Sequence, residues 1–205
     1  MKNISVGIID YGFGNISSLY SCLMSLGFKV RVSNKRSILK KTNILFLPGV
    51  GSFDAGMQSL NERDLSEFIK LYSQSGKSIV GICLGMQLLF SSSKEGKPIK
   101  GLSLLKGNIV PVKSISTHIG WNTISNIKSR SPFKEFDKDH FYFNHSFAFQ
   151  GSDRLVLAKA KISPRESVAA IVKKNNILGI QFHPEKSQIT GSNLLRKFII
   201  NNYNA

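Results

Sequence analysis

Cysteine is scarce in this sequence: Cys22 and Cys83 are the only two in 205 residues. Two thiols cannot build a disulfide framework, which excludes a stapled secreted scaffold. The histidines, at positions 118, 140, 145 and 183, show no zinc-type spacing with them. No metal and no other cofactor is expected. No apolar run approaches the roughly 20 residues that cross a bilayer. The stretch Ile4–Ile9 is too short for a signal-peptide core and reads better as a first strand, so a cytoplasmic protein is expected. Acidic residues are also few, 12 against 28 Lys and Arg, for a formal net charge of +16. The surplus is spread evenly, 13 basic against 6 acidic residues in 1–100 and 15 against 6 in 101–205. With no basic tail, Arg-rich stretch or aromatic-basic motif, nucleic acid is not an expected partner. A lysine-rich solvated surface, or an acidic partner, accounts for the charge.

What is present is a globular composition, 41% hydrophobic and 10% aromatic. There is no repeat, low-complexity segment or linker, so one domain over residues 1–205 is expected. The first half alternates strand and helix signals: Ile4–Ile9, helix over 14–26, strand over 28–32, Ile44–Leu47, helix over 60–72, Ser78–Ile82, and a helix beginning over 85–90. The second half is richer in strands, at 108–112, 121–124, 140–143, 154–160, 167–172 and 177–182, and closes with a helix over 191–201. This order predicts an α/β fold, a central mostly parallel sheet flanked by helices, with extra β structure in the second half.

Two segments carry chemistry. Gly81-Ile-Cys83-Leu-Gly85 stands between a buried strand and a helix, the arrangement of a nucleophile elbow. Small residues flank a sharp turn, and the cysteine at a helix N-terminus is favoured as thiolate. The N–H of Leu84 is placed to meet an oxyanion. Cys22 lies within an amphipathic helix and reads as a packing residue. Further on, Gln181-Phe-His183-Pro-Glu185 follows a strand. His183 can move a proton near neutral pH, and Glu185, two residues on in an extended or turn segment, can hold its ring. The other three histidines lack an acidic residue at that spacing.

These pieces resemble those of class I (triad) glutamine amidotransferases, which have a flavodoxin-like fold. The resemblance covers the chain: Ile8-Ile-Asp-Tyr-Gly-Phe-Gly-Asn15, Leu47-Pro-Gly-Val-Gly-Ser-Phe53, the cysteine segment Gly81–Phe90, His118-Ile-Gly-Trp-Asn122, Tyr142-Phe-Asn-His-Ser146 and Gln181–Ser187. The Tyr-Gly-x-Gly-Asn, Pro-Gly-Val-Gly and Gly-Trp-Asn pieces are similar to the branch that serves imidazole glycerol phosphate synthases in histidine biosynthesis. The resemblance implies a Cys83–His183–Glu185 triad that hydrolyses glutamine. It implies an oxyanion hole from Gly49, Val50, Gly51 and Leu84, whose two glycines suit a peptide that rotates when a partner binds. It implies glutamine held by Gln87, Glu95 and the His145-Ser146 backbone. The implied partner is a cyclase subunit with a (β/α)8 barrel, forming a heterodimer near Asn15 and Trp121 and receiving the ammonia.

The sequence departs from that branch at Thr117, where proline is usual, at Asn144, where an apolar residue is usual, and at Phe147, where tyrosine is usual. None of these touches the triad. Two alternatives therefore stand: a divergent paralogue that supplies ammonia to a bacterial surface-sugar amidotransferase, and a free-standing γ-glutamyl hydrolase.

Overall fold

The computed structural model describes residues 4–96, 99–127 and 131–203. Both ends of the expected 1–205 domain lie outside these residues. Parallel strands β1 (Ser5–Ile9), β2 (Lys29–Ser33), β3 (Ile44–Leu47) and β4 (Ser78–Ile82) form one side of a nine-stranded sheet. The helices between them are α1 (Ile16–Ser25), the single turn α2 (Arg36–Leu39), α3 (Phe53–Glu62) and α4 (Leu65–Gln74). A short helix α5 (Leu84–Leu88) follows β4. Then come β5 (Ser92–Ser93), β6 (Asn108–Pro111), β7 (His118–Ser125), β8 (His140–His145), β9 (Phe147–Gln150), β10 (Val156–Ser163), β11 (Glu166–Lys174), β12 (Ile177–Ile180) and α6 (Gln188–Tyr203).

The large sheet runs β2-β1-β3-β4-β12-β11-β10-β7-β8, and β5-β6-β9 makes a small second sheet. Strand β12 pairs in parallel with β4, Gly179 opposite Gly81. Beyond it every pairing is antiparallel. The expected parallel core with extra β structure is therefore a mixed sheet whose two halves meet at β12.

Alternation along the buried strands divides the interior in two. Ile44 and Phe46 of β3 and Val80 and Ile82 of β4 pack with Leu19 and Leu23 of α1 and Leu194, Leu195 and Phe198 of α6. Leu45, Leu47 and Ile79 point the other way, onto Met57 and Leu60 of α3 and Leu65 and Ile69 of α4. Fully apolar strands such as Ile44–Leu47 need cover on both faces, and the helices supply it. Cys22 packs half-buried against the first of these cores.

Two expectations are corrected. The helix read over 60–72 is two helices, broken where Asp64 turns left-handed at φ 53°. Its apolar periodicity runs on across the break, so sequence pattern alone joined them. Helix α5 ends at Leu88, two residues short of the expected span, since the chain turns there into the small sheet. Strands β5 and β9 and helix α2 had no legible signal.

Candidate active site

Three strand ends meet at one cleft, the place where open α/β sheets bind ligands. Cys83 stands between β4 and α5 with φ 54° and ψ −114°, a strained backbone for a residue with a β-carbon. The neighbours explain how so sharp a turn fits. A β-carbon on Gly81 would lie 2.6 Å from the Gly85 carbonyl oxygen, and one on Gly85 would overlap the Leu47 carbonyl. Only glycine lets β3, β4 and α5 approach this closely. The Cys83 side chain is 6% exposed, and its Sγ lies 3.6 Å from the Asn144 carbonyl oxygen.

His183 follows β12, held by its N–H donating to the Tyr142 carbonyl at 2.8 Å. Its Nδ1 meets Glu185 Oε1 at 2.8 Å, both side chains 3% exposed. Residues Pro184–Lys186 make a 3-10 turn, so the orienting carboxylate is delivered by a turn and not by extended chain. Burial pulls the imidazole pKa down. The hydrogen bonds and negative charge of Cys83 and Glu185 outweigh burial and raise it to about 10. The ring is held as a cation poised beside sulfur and carboxylate. A thiol, a base and a carboxylate aligned this way can form and break acyl bonds.

The cleft, about 260 Å³, is lined by Cys83, Val50, Gly51, Leu84, Gln87 and Glu95 among others. Gly49 is not among its lining residues. It lies beneath, where a β-carbon would come within 2.8 Å of the Gly85 nitrogen. Val50 is 43% exposed at the rim. The Gln87 amide donates to the Phe147 carbonyl at 3.0 Å and to Gln181 Oε1 at 3.3 Å. Glu95 accepts the Phe53 N–H at the start of α3, at 2.9 Å. Burial raises its pKa; that bond opposes the rise and Asp54 adds to it. His145 and Ser146 also line the cleft.

Asn15 precedes α1 and accepts from the Ser18 hydroxyl at 2.9 Å. Trp121 is 49% exposed, edge-on to Tyr142. Neither lines the cleft. Three site neighbours stand in the quoted motifs without a role assigned to them: Asn144 and Phe147, which act through backbone carbonyls, and Gln181, which is fully buried under Gln87. Among the described residues no group of three or more His, Cys, Asp or Glu side chains could hold a metal ion. No described helix is long and apolar enough to cross a membrane.

A strained cysteine elbow on a partly parallel sheet, with a carboxylate-held histidine from the next parallel strand, defines a triad amidotransferase type of site. A family model for class-I glutamine amidotransferases matches residues 7–202, and the chain belongs to that family. It is 42% identical to the imidazole glycerol phosphate synthase subunit HisH of Halalkalibacterium halodurans, with 94% of each chain covered. It is 39% identical to the subunit of the same name from Prochlorococcus marinus strain MIT 9312, over 96% of this chain and 98% of that one. A solved structure of PurLQS from Thermotoga maritima superposes with a TM-score of 0.75 at 22% identity, covering all of both chains. A structure described as a glutamine amidotransferase gives 0.75 at 17%, over 98% of this chain and 99% of that one. At those identities the structures speak for the fold alone.

Proposed function

We propose that the protein is the glutaminase subunit of an imidazole glycerol phosphate synthase, releasing ammonia from glutamine for a cyclase subunit. The observation that carries the chemistry is the buried Cys83–His183–Glu185 alignment. The full-length identity to subunits named for that synthase supports the branch.

Glutamine enters the cleft with its carboxamide at Cys83. The sulfur attacks the carboxamide carbon, and the oxyanion is met by backbone N–H groups of Leu84 and the Gly49–Gly51 loop. As the C–N bond breaks, His183 gives its proton to the departing nitrogen, leaving a glutamyl thioester and ammonia. His183, neutral at that point, then takes a proton from water, which attacks the thioester. Glutamate leaves, and Cys83 and His183 return to their starting state. Glu185 keeps the ring in one orientation throughout. Gln87 and Glu95 hold the amino-acid end of the substrate.

The partner in this reading is a (β/α)8-barrel cyclase, docked in a heterodimer across the face near Asn15 and Trp121. An exposed tryptophan is a common anchor of such contacts. The test is glutamine turnover by the protein alone and with that cyclase plus its ribonucleotide ligand, with Cys83→Ala as the blank. Turnover that rises many-fold only with both additions, and is lost in Cys83→Ala, supports the assignment. Full activity alone overturns the partner. Silence with the cyclase overturns the histidine branch in favour of surface-sugar amidation.

A further inference from the structure

Beside the cleft lies an unbroken chain of hydrogen bonds that the triad does not use. His118 and His145 face each other across β7 and β8. His118 Nδ1 lies 3.0 Å from His145 Nε2. His145 Nδ1 lies 2.9 Å from the Phe147 carbonyl oxygen, which also accepts the Gln87 amide at 3.0 Å. At the other end Asn122 Nδ2 lies 3.0 Å from His118 Nε2 and 2.9 Å from the Lys161 carbonyl oxygen. Both rings are buried, 7% and 6% exposed.

The partners fix every proton. A carbonyl only accepts, so His145 carries its hydrogen on Nδ1. A neutral His145 then offers a lone pair at Nε2, so His118 donates from Nδ1. His118 Nε2 is left as acceptor for the Asn122 amide. Asn122 is itself oriented, because its Oδ1 accepts the Thr123 N–H at 2.7 Å. An extra proton on His145 would set two N–H groups head to head. Burial lowers the pKa of both rings, in keeping with this neutral arrangement. The bend in β7 is part of the device. Residues four apart on a flat strand stand about 13 Å apart, too far for these side chains to meet. Gly120, at φ 118°, curls the strand between them.

We propose that His118 and His145 are positioning residues which, as two neutral rings in series, hold the Phe147 carbonyl and through it Gln87, tying the glutamine end of the cleft to the curled strand β7. Both hydrogens of the Gln87 amide are taken by Phe147 and Gln181, so its Oε1 is the atom offered to the cleft. That acceptor suits the α-ammonium of an amino acid, and its aim depends on the carbonyl that His145 anchors. The far end of the chain reaches Asn122, next to the exposed Trp121 and on the strand that carries the exposed Ile119. A partner seated on that strand would therefore act on substrate binding through hydrogen-bond geometry. This inference rests on the glutaminase reading.

The experiment compares His118→Leu, which removes the donor to His145, with His118→Asn, whose amide nitrogen stands close to the place of Nδ1. Turnover is measured with the cyclase and its ligand present. His118→Leu should raise KM for glutamine about tenfold and leave kcat within about threefold, the effect of one misdirected hydrogen bond. His118→Asn should recover most of the loss. An unchanged KM in His118→Leu overturns the proposal, as does an Asn variant no better than Leu, which would mark a packing role only. Nitrogen-15 spectra of the imidazoles give a second reading: both rings should be neutral with hydrogen on Nδ1 at pH 7, and hydrogen on Nε2 of either overturns the chain. Wild-type protein that turns over no glutamine under any condition removes the glutaminase reading. The Gln87 side-chain amide signals then decide the chain by themselves: they should shift in His118→Leu and return in His118→Asn, and signals unmoved in His118→Leu overturn it.

Discussion

Acidification should cost this fold stability through His145, by an amount the structure sets. In the unfolded chain the imidazole titrates near 6.5. In the fold, burial first and then the neighbouring His118 and His183 hold it down to about 4, against a smaller opposing effect of its bond to Phe147. A group whose folded pKa is depressed in this way binds fewer protons folded than unfolded, and stability falls as pH drops below the unfolded value. For 6.5 against about 4, the loss is near zero at pH 7.5 and about 2 kcal/mol at pH 5. It levels off at about 3 kcal/mol below pH 4. His118, also lowered by burial, pushes in the same direction. The assay is urea unfolding of wild type and His145→Gln at several pH values from 8 to 4.5. Losing the buried hydrogen bonds gives the variant a fixed handicap of about 1–3 kcal/mol. Groups remote from residue 145 titrate alike in both proteins, so their difference isolates residue 145 together with the His118 and His183 rings coupled to it. Wild type's advantage should shrink by about 2 kcal/mol between pH 7.5 and 5, or about 1 M in urea midpoint. An advantage that stays constant with pH would refute a neutral, buried His145, and one that grows on acidification would mean the ring is held as a cation.

Two further substitutions probe the cleft. Cys83 holds a β-carbon at φ 54° and ψ −114°, so Cys83→Gly should match or exceed Cys83→Ala in stability, whereas glycine at an ordinary buried site loses about 1 kcal/mol to alanine; thermal unfolding of the two inactive proteins decides it, and an alanine variant ahead by that margin means the elbow carries no strain. Glu95→Gln keeps a group able to accept the Phe53 N–H but removes the charge, so KM for glutamine should rise on the order of tenfold to a hundredfold with kcat nearly unchanged. A loss confined to kcat would move Glu95 from substrate binding to the chemical step.

The legible part of this molecule is what local rules write into consecutive residues. Ile44–Leu47 and Ser78–Ile82 are runs of apolar residues needing cover on two faces, and they are β3 and β4 to the residue. The elbow is legible because Gly81, Cys83 and Gly85 must be adjacent for the turn to close. His183 and Glu185 are legible because a two-residue spacing lets one hold the other. The break at Asp64 was hidden because the apolar stripe continues through it, and a single left-handed residue leaves no periodic trace.

The hydrogen-bond chain was hidden for a different reason. Its links join residues 27, 2 and 60 positions apart, and its central acceptor is the backbone oxygen of Phe147, which no side-chain pattern reports. The side chains of His118 and His145 lacked an acidic neighbour and so were passed over as proton carriers, yet that lack is what lets them work as neutral rings. A carboxylate beside either would favour the imidazolium, put a hydrogen on both nitrogens, and set donor against donor. The same residue type is thus made cationic at His183, where Glu185 and Cys83 face it, and neutral at His118 and His145, which are bonded to a carbonyl, an amide and each other and have no carboxylate partner. The β8 end and the β12 end bring the two kinds to one cleft, one equipped to move a proton and the other to hold a backbone oxygen still.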